Sequence, residues 1–371
     1  MAVDKTKTDY LLLSYFGVLI FFGLILLWSA SSVVGFERFG DSYFFLKRQV
    51  LYGFLPGLFL FVVLSKIPYT FLKKISLLIY GVALILLILV LIPGMGNSFG
   101  TTAQSWLSLG PLSFQPSEVA KLGIIVFFAS YLADLGNNIE NFKTGFLPSL
   151  VLGLLPIGLI VLQPDIGTAS ILFATIFGML FLAKARYSHL GILLAGGIGS
   201  FIIMIALVPS RAERLMTFMR PELDPQGIGY QINQALLAIG SGGWFGFGLG
   251  HSIQKHQYLP EVHADSIFAV MAEELGFIMV VAFILLLLVI FFRVFKLAKQ
   301  SPDNFAKFLV FGVVLWFTIQ SFFNIGAMVG LVPLTGVPLP FVSHGGTALM
   351  ISMSAVGIII NISKNRIKYR L

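Results

Sequence analysis

Apolar runs of about 18 residues, the length that spans a bilayer, recur from one end of this chain to the other. In hydrocarbon every backbone N–H and C=O must be satisfied inside the protein, so such runs close on themselves as helices. Of 371 residues, 57% are hydrophobic and 11% charged. A water-soluble fold of this size cannot hide that much apolar surface. The chain therefore reads as an all-α polytopic membrane protein. It has no cysteine, which excludes disulfides, cysteine–zinc sites and thiol nucleophiles. Lys5 and Lys7 precede a first apolar run of about 20 residues, longer than a signal-peptide core, which is expected to stay as a helix.

Hydropathy predicts about ten transmembrane helices, at 11–33, 50–64, 75–92, 119–132, 146–162, 166–183, 190–208, 267–292, 308–332 and 347–362. The second, fourth and tenth are short, which snorkelling lysine and arginine tolerate. An even number puts both termini on one side. Sixteen of the 24 lysines and arginines fall on that side and seven on the other, so both termini are expected to be cytoplasmic. The net charge of +8 is then an orientation signal and a contact with anionic lipid, and no nucleic-acid surface is expected. Two loops face outward, 93–117 and a large extracytoplasmic loop at 209–264 between spans seven and eight. The middle of the larger one, Gly240 to Gly250, is rich in glycine and aromatics, which predicts a segment at the interface or folded against the bundle.

Generic motifs fail. Gly246, Gly248 and Gly250 follow no strand and open no βαβ unit, and His251, His256 and His263 match no zinc spacing. Four polar clusters face outward. The first is Arg48, at the outer end of the second span. In the second, Glu118 and Lys121 share a helix face, either as a site or as a self-neutralising pair. In the third, Asp165 either serves a site or caps the following helix. The fourth runs from Arg211 and Arg214 through Asp224 to Asp265. Asp265 sits at the mouth of the eighth span, and Glu273 and Glu274 lie about two turns inside it, a depth at which carboxylates are expensive and usually functional. Cations suit phosphate or pyrophosphate, and a carboxylate at a cavity rim suits a general base. The residues alone leave a lipid-phosphate enzyme and a transporter equally open.

Five stretches, in order, narrow this. They are Trp106-Leu-Ser-Leu-Gly110 continuing to Gln115-Pro-Ser-Glu118-Val-Ala-Lys121; Gln163-Pro-Asp165-Ile-Gly-Thr-Ala169; Asp224-Pro-Gln-Gly-Ile-Gly229-Tyr-Gln231; Tyr258-Leu-Pro-Glu261-Val-His263-Ala-Asp265; and Pro338-Leu-Pro-Phe-Val-Ser343-His-Gly-Gly346. Together they resemble the SEDS family of shape, elongation, division and sporulation proteins, over nearly the whole chain. The run Gly248 to Tyr258 is more similar to the division branch than to the elongation branch.

The resemblance implies a single integral membrane domain over 1–371 and a peptidoglycan glycosyltransferase at the outer face of the bacterial cytoplasmic membrane, at the division septum. The acceptor sugar 4-hydroxyl of one lipid II attacks the anomeric carbon of the lipid-linked donor chain, with inversion, and undecaprenyl pyrophosphate leaves. The family's essential aspartate falls on Asp265, implying a general base. Arg48, Lys121, Arg211 and Arg214 are expected to balance pyrophosphate charge, and Glu118, Asp165, Lys255, Glu261, His263 and Ser343 to complete the substrate site. A divalent cation, Mg²⁺ or Mn²⁺, is expected on the pyrophosphate oxygens, and no organic cofactor. Expected partners are lipid II, a class B penicillin-binding protein transpeptidase and other divisome membrane proteins. The chain departs from the family pattern at Ser105, where arginine is usual, and at His344, where tyrosine is usual. It departs again at Ala264 and Ser266. The rival reading is a lipid II flippase; the outward bias of the charged clusters favours catalysis at the surface.

Overall fold

Each of the ten apolar runs falls on a helix in a computed structural model, which describes residues 8–97, 104–109, 112–207, 209–220, 224 and 227–365. Among the described residues seven helices are long and apolar enough to cross a membrane, and three shorter ones, Ser76–Leu91, Ile166–Leu182 and Tyr187–Ile203, are apolar. In chain order the long elements are α1 (Tyr10–Phe39), α2 (Phe44–Gln49), α3 (Leu55–Lys66), α4 (Tyr69–Lys74), α5 (Ser76–Leu91), α6 (Pro116–Leu135) and α7 (Leu147–Leu162). They continue as α8 (Ile166–Leu182), α9 (Tyr187–Leu207), α10 (Pro209–Met219), α11 (Ile228–Ser241), α12 (Ile267–Lys299), α13 (Asn304–Met328) and α14 (Gly346–Ser363). The core lies around α13, whose Trp316, Phe317, Val313 and Leu309 are at most 1% exposed and which packs on α6, α8 and α12. Small residues let α3 and α14 close on each other, as is usual between helices in lipid. A Cβ on Gly57 would lie 2.8 Å from Met353 Sδ.

The structure corrects the sequence reading in four places. The second span is not short: α2 runs through a π-helical turn at Val50–Phe54 into α3, giving 23 continuous residues. The fourth is 20 residues long because Pro116 and Glu118 form its first turn, where proline and an acid are favoured. The chain is not wholly helical. Between α5 and α6, β1 (Gly96–Asn97), β2 (Trp106–Leu109) and β3 (Leu112–Phe114) form a small antiparallel sheet in that order, with Leu107 opposite Phe114. The large loop at 209–264 contains two helices, α10 and α11. One face of α11 carries Ile232, Ala235 and Ala238, at most 3% exposed, so it is packed on the bundle rather than free in water.

The glycine-aromatic segment folds against the bundle and enters a helix ladder. α12 breaks at Gly276, at φ 71° and ψ 178°. The N–H groups of Phe277 and Ile278 then donate to the carbonyls of Gly243 (2.9 Å) and Trp244 (3.3 Å). In return Phe247 and Gly248 donate to the carbonyls of Glu273 (3.1 Å) and Glu274 (2.9 Å). The 243–248 segment thus supplies the four bonds that the break removes, which is what makes irregular backbone tolerable at such depth. Only glycine allows the contact: a Cβ on Gly276 would lie 2.3 Å from Gly246 N, and one on Gly246 2.2 Å from Glu274 O.

Candidate active site

Asp265 ends a turn that begins at Pro260 and leads straight into α12. Glu261, held at φ 50°, shapes that turn with its carbonyl, which accepts from Ala264 N (2.9 Å) and Ser266 N (3.3 Å). A non-glycine residue in the left-handed region is a strained position of the kind that clusters at functional sites. The Asp265 side chain is 6% exposed. Its Oδ1 accepts from Gln231 Nε2 of α11 at 3.4 Å, and the same amide reaches Ser266 Oγ at 3.1 Å. Burial, and after it the neighbouring Glu261 carboxylate, push the Asp265 carboxyl up to about 7. That value suits a group that must both take up and release a proton near neutrality.

A second segment, 337–345, lies over this turn. His344 N donates to the His263 carbonyl at 2.8 Å, and the two imidazoles are 5.7 Å apart. Phe45 of α2 packs between them, 4.2 Å from His263 and 5.2 Å from His344. Burial lowers the pKa of His263. His344 is lowered to about 3, by burial first and then by His263 and Arg48, so both rings are neutral at physiological pH. Arg48 sits over the rings of Phe44 (5.4 Å) and Tyr52 (5.9 Å). Gln49 beside it is 1% exposed and clamps the same segment, donating to the Ser343 carbonyl (3.3 Å) and accepting from Gly345 N (2.9 Å). Ser343 Oγ accepts from Leu339 N at 2.8 Å. Arg48, His263, Asp265 and Ser343 are therefore brought together, with Glu261 at the rim, 58% exposed and 3.9 Å from His263 Nε2.

The two expected lysines are differently placed. Lys121 is 1% exposed. Its Nζ donates to Glu118 Oε1 (2.9 Å) and Gln320 Oε1 (2.8 Å) and lies 5.1 Å from the Trp316 ring. Lys255 is 2% exposed and donates to Glu274 Oε1 (2.8 Å) and to the carbonyls of Gly250 (2.7 Å) and Ser29 (3.3 Å). Glu273 accepts from Ser252 Oγ and from the N–H of Ile253 at 2.9 Å. The two intramembrane carboxylates thus anchor the 252–255 turn on α12 and α1. Asp165 caps α8, accepting from Thr168 N at 3.0 Å. Arg211 and Arg214 fall within α10, but their side chains lie outside the described residues. Among the described residues no three histidine, aspartate or glutamate side chains gather into a metal site.

Sequence reasoning gave no role to the carboxamides Gln49, Gln231, Gln320 and Asn324, which supply most of the side-chain hydrogen bonds around Asp265 and the 337–345 segment. Their signal was a side-chain amide within or beside an apolar run, which is costly unless it is bonded.

A family model described as cell cycle protein, covering FtsW, RodA and SpoVE, matches residues 9–368. Stage V sporulation protein E of Bacillus subtilis (strain 168) is 39% identical over 364 residues, spanning 98% of this chain and 99% of that one. The probable peptidoglycan glycosyltransferase FtsW of Trichlorobacter lovleyi is 39% identical over 357 residues, 96% and 93% of the two chains. Among solved structures, a chain of a peptidoglycan synthase complex that coordinates polymerization and crosslinking superposes with a TM-score of 0.80 at 26% identity, over 96% of this chain and 98% of that one. The rod shape determining protein RodA of Thermus thermophilus gives 0.70 at 26% identity, over 98% and 99%.

Proposed function

The chain belongs to the cell cycle protein family of FtsW, RodA and SpoVE, and on that premise we propose that Asp265 is the general base of its reaction. The chain is a multi-pass membrane protein and a peptidoglycan glycosyltransferase that polymerises lipid II into glycan strands. We read all ten apolar helices as spans with both termini in the cytoplasm, an orientation that the lysine and arginine bias supports and in which Asp265 faces the outer side of the cytoplasmic membrane. The FtsW relatives support work at the division septum. The neighbour that couples polymerization to crosslinking supports a class B penicillin-binding protein as partner, within a divisome assembly.

In this reading the acceptor 4-hydroxyl gives its proton to Asp265 as its oxygen attacks the donor's anomeric carbon. The bond from that carbon to the pyrophosphate oxygen breaks on the opposite face, and undecaprenyl pyrophosphate leaves with the electron pair. The observation that carries it is Asp265 itself, 6% exposed at the mouth of α12 with its carboxyl at about 7. Arg48 and, in α10, Arg211 and Arg214 are assigned to the pyrophosphate, whose paired anionic oxygens a planar guanidinium fork can bridge. Lys255 has three acceptors in the protein for its ammonium hydrogens and Lys121 two, so we assign both to holding the site. A divalent cation on the substrate's pyrophosphate oxygens would offset the charge that develops there as the leaving group departs. Synthesis of strands from lipid II by the purified chain with its partner, and its loss in Asp265→Asn, tests the assignment. Strands of ordinary length from that variant would return the chain to the flippase reading.

A further inference from the structure

The segment over the active site holds only its second half by itself, where the Leu339 carbonyl accepts from Val342 N (3.2 Å) and Ser343 N (3.0 Å). Pro338 and Pro340 carry no N–H, and the carbonyls of Val337 and Pro338 find their donors outside the segment. α13 supplies them from inside the bundle. Asn324 Nδ2 donates one hydrogen to the Val337 carbonyl at 2.8 Å and the other to the Asp265 carbonyl at 2.9 Å. One turn earlier on the same face, Gln320 Nε2 donates to the Pro338 carbonyl at 2.8 Å. Gln320 Oε1 accepts from Lys121 Nζ (2.8 Å) and Trp316 Nε1 (2.7 Å). Both amides are 2% exposed. A buried carboxamide costs stability unless its hydrogens are used, and here both hydrogens of Asn324 go to the two chain segments that meet at the site.

We propose that Asn324 is a positioning residue for Asp265, with Gln320 as its companion. The two amides bracket the 337–345 segment against the turn that carries Asp265, so the carboxylate and the residues over it are held as one unit. This rests on Asp265 being the base. Asn324 grips the Asp265 carbonyl and leaves the carboxylate to the substrate, so it sets where the base stands, not what it does. The Lys121–Glu118 pair enters the same arrangement through Gln320 and anchors the far end of the bracket on α6. Polar groups that sequence scatters over positions 118 to 338 form one connected path ending at the base.

The test is kinetic. Purified wild type, Asn324→Leu, Asn324→Ser, Gln320→Leu and Asp265→Asn are compared on lipid II with the transpeptidase partner present. Rates are taken over a range of lipid II concentrations, and each protein is melted in the same detergent. A base displaced by about 1 Å loses on the order of tenfold to a hundredfold in kcat while lipid II binding, and so KM, stays within about twofold. That split is expected in both Asn324 variants per mole of folded protein, the smaller serine guarding against failure of the leucine variant to fold. Gln320→Leu should move the same way by less. A kcat near wild type in either Asn324 variant overturns the proposal, as does a loss matched by the unfolded fraction or a loss confined to KM. An Asp265→Asn protein that still polymerises removes instead the base assignment beneath it.

Discussion

Replacing Asp265 with asparagine should stop polymerisation and, at alkaline pH, strengthen the fold. Burial first, and then Glu261, hold the Asp265 carboxyl at about 7 against an ordinary 3.8. Because the folded value is raised, the folded chain grips this proton more tightly than the unfolded chain does between those two values. The stabilisation is therefore complete below the unfolded value and is withdrawn as pH rises toward 7. At pH 8 the ionised group withholds on the order of 4 kcal/mol, at 1.36 kcal/mol per pH unit. Asparagine keeps the shape, stays neutral and can still accept from Gln231. Asp265→Asn should then melt above wild type at pH 8, with the gap closing toward pH 4.

The same titration governs rate. A base with a pKa of about 7 is roughly one-tenth ionised at pH 6 and roughly nine-tenths at pH 8, so wild-type kcat should rise almost tenfold across that interval. The variant should fall by about 10² or more throughout. Strand synthesis from lipid II, followed on gels from pH 6 to 8, reads the rate; detergent melts at pH 5 and pH 8 read the stability. A wild-type rate flat over this range, or strands of ordinary length from Asp265→Asn, would refute the base assignment. A variant that melts below wild type at pH 8 would refute the account of its burial.

Lys255→Met leaves the fully buried Glu274 carboxylate without its cation and should cost about 3–5 kcal/mol; the double variant with Glu274→Gln should recover most of that in the same thermal melts. Lys121→Met strips Glu118 and unties Gln320, so strand synthesis per folded molecule should fall at least about tenfold; near-normal synthesis would show the pair to be packing alone. Orientation can be read by labelling, since the chain has no cysteine: Gln257→Cys, on an exposed turn of the large loop, should react with an impermeant thiol reagent from outside, and Asn304→Cys, at the exposed start of α13, should not. Ser252, in the same loop but 1% exposed, is expected to stay silent from either side.

The helices were legible because an apolar run in lipid has few ways to satisfy its backbone, and the ten expected runs all fall on helices. The break in α12 was not. Residues 277 to 283 continue the apolar run, and nothing local marks Gly276 as the place where a segment some 30 residues upstream takes over the ladder. Its counterpart could be seen only as a glycine-rich stretch with no stated partner. Asp165 shows the opposite limit: a cap and a ligand look alike in sequence, and the bond from Thr168 N shows the cap.

Charge alone did not show where the cations of the site lie. Lys255, expected in the substrate site, meets Glu274 where the 243–248 segment enters α12 at the next turn. The cation and its partner carboxylate are thereby folded onto each other under the loop. Once such a pair is buried, its electrostatic effect is mostly cancelled locally, and what remains is geometric: removing either member displaces the backbone it ties. The groups that then decide where Asp265 stands are uncharged. Gln49, Gln320 and Asn324 each join backbone or side-chain groups from separate parts of the chain, because a carboxamide presents donors and an acceptor without the desolvation cost of a full charge. In a membrane enzyme whose reacting groups must face water while their supports stand in lipid, that makes amides inside apolar spans the first residues to examine for positioning roles.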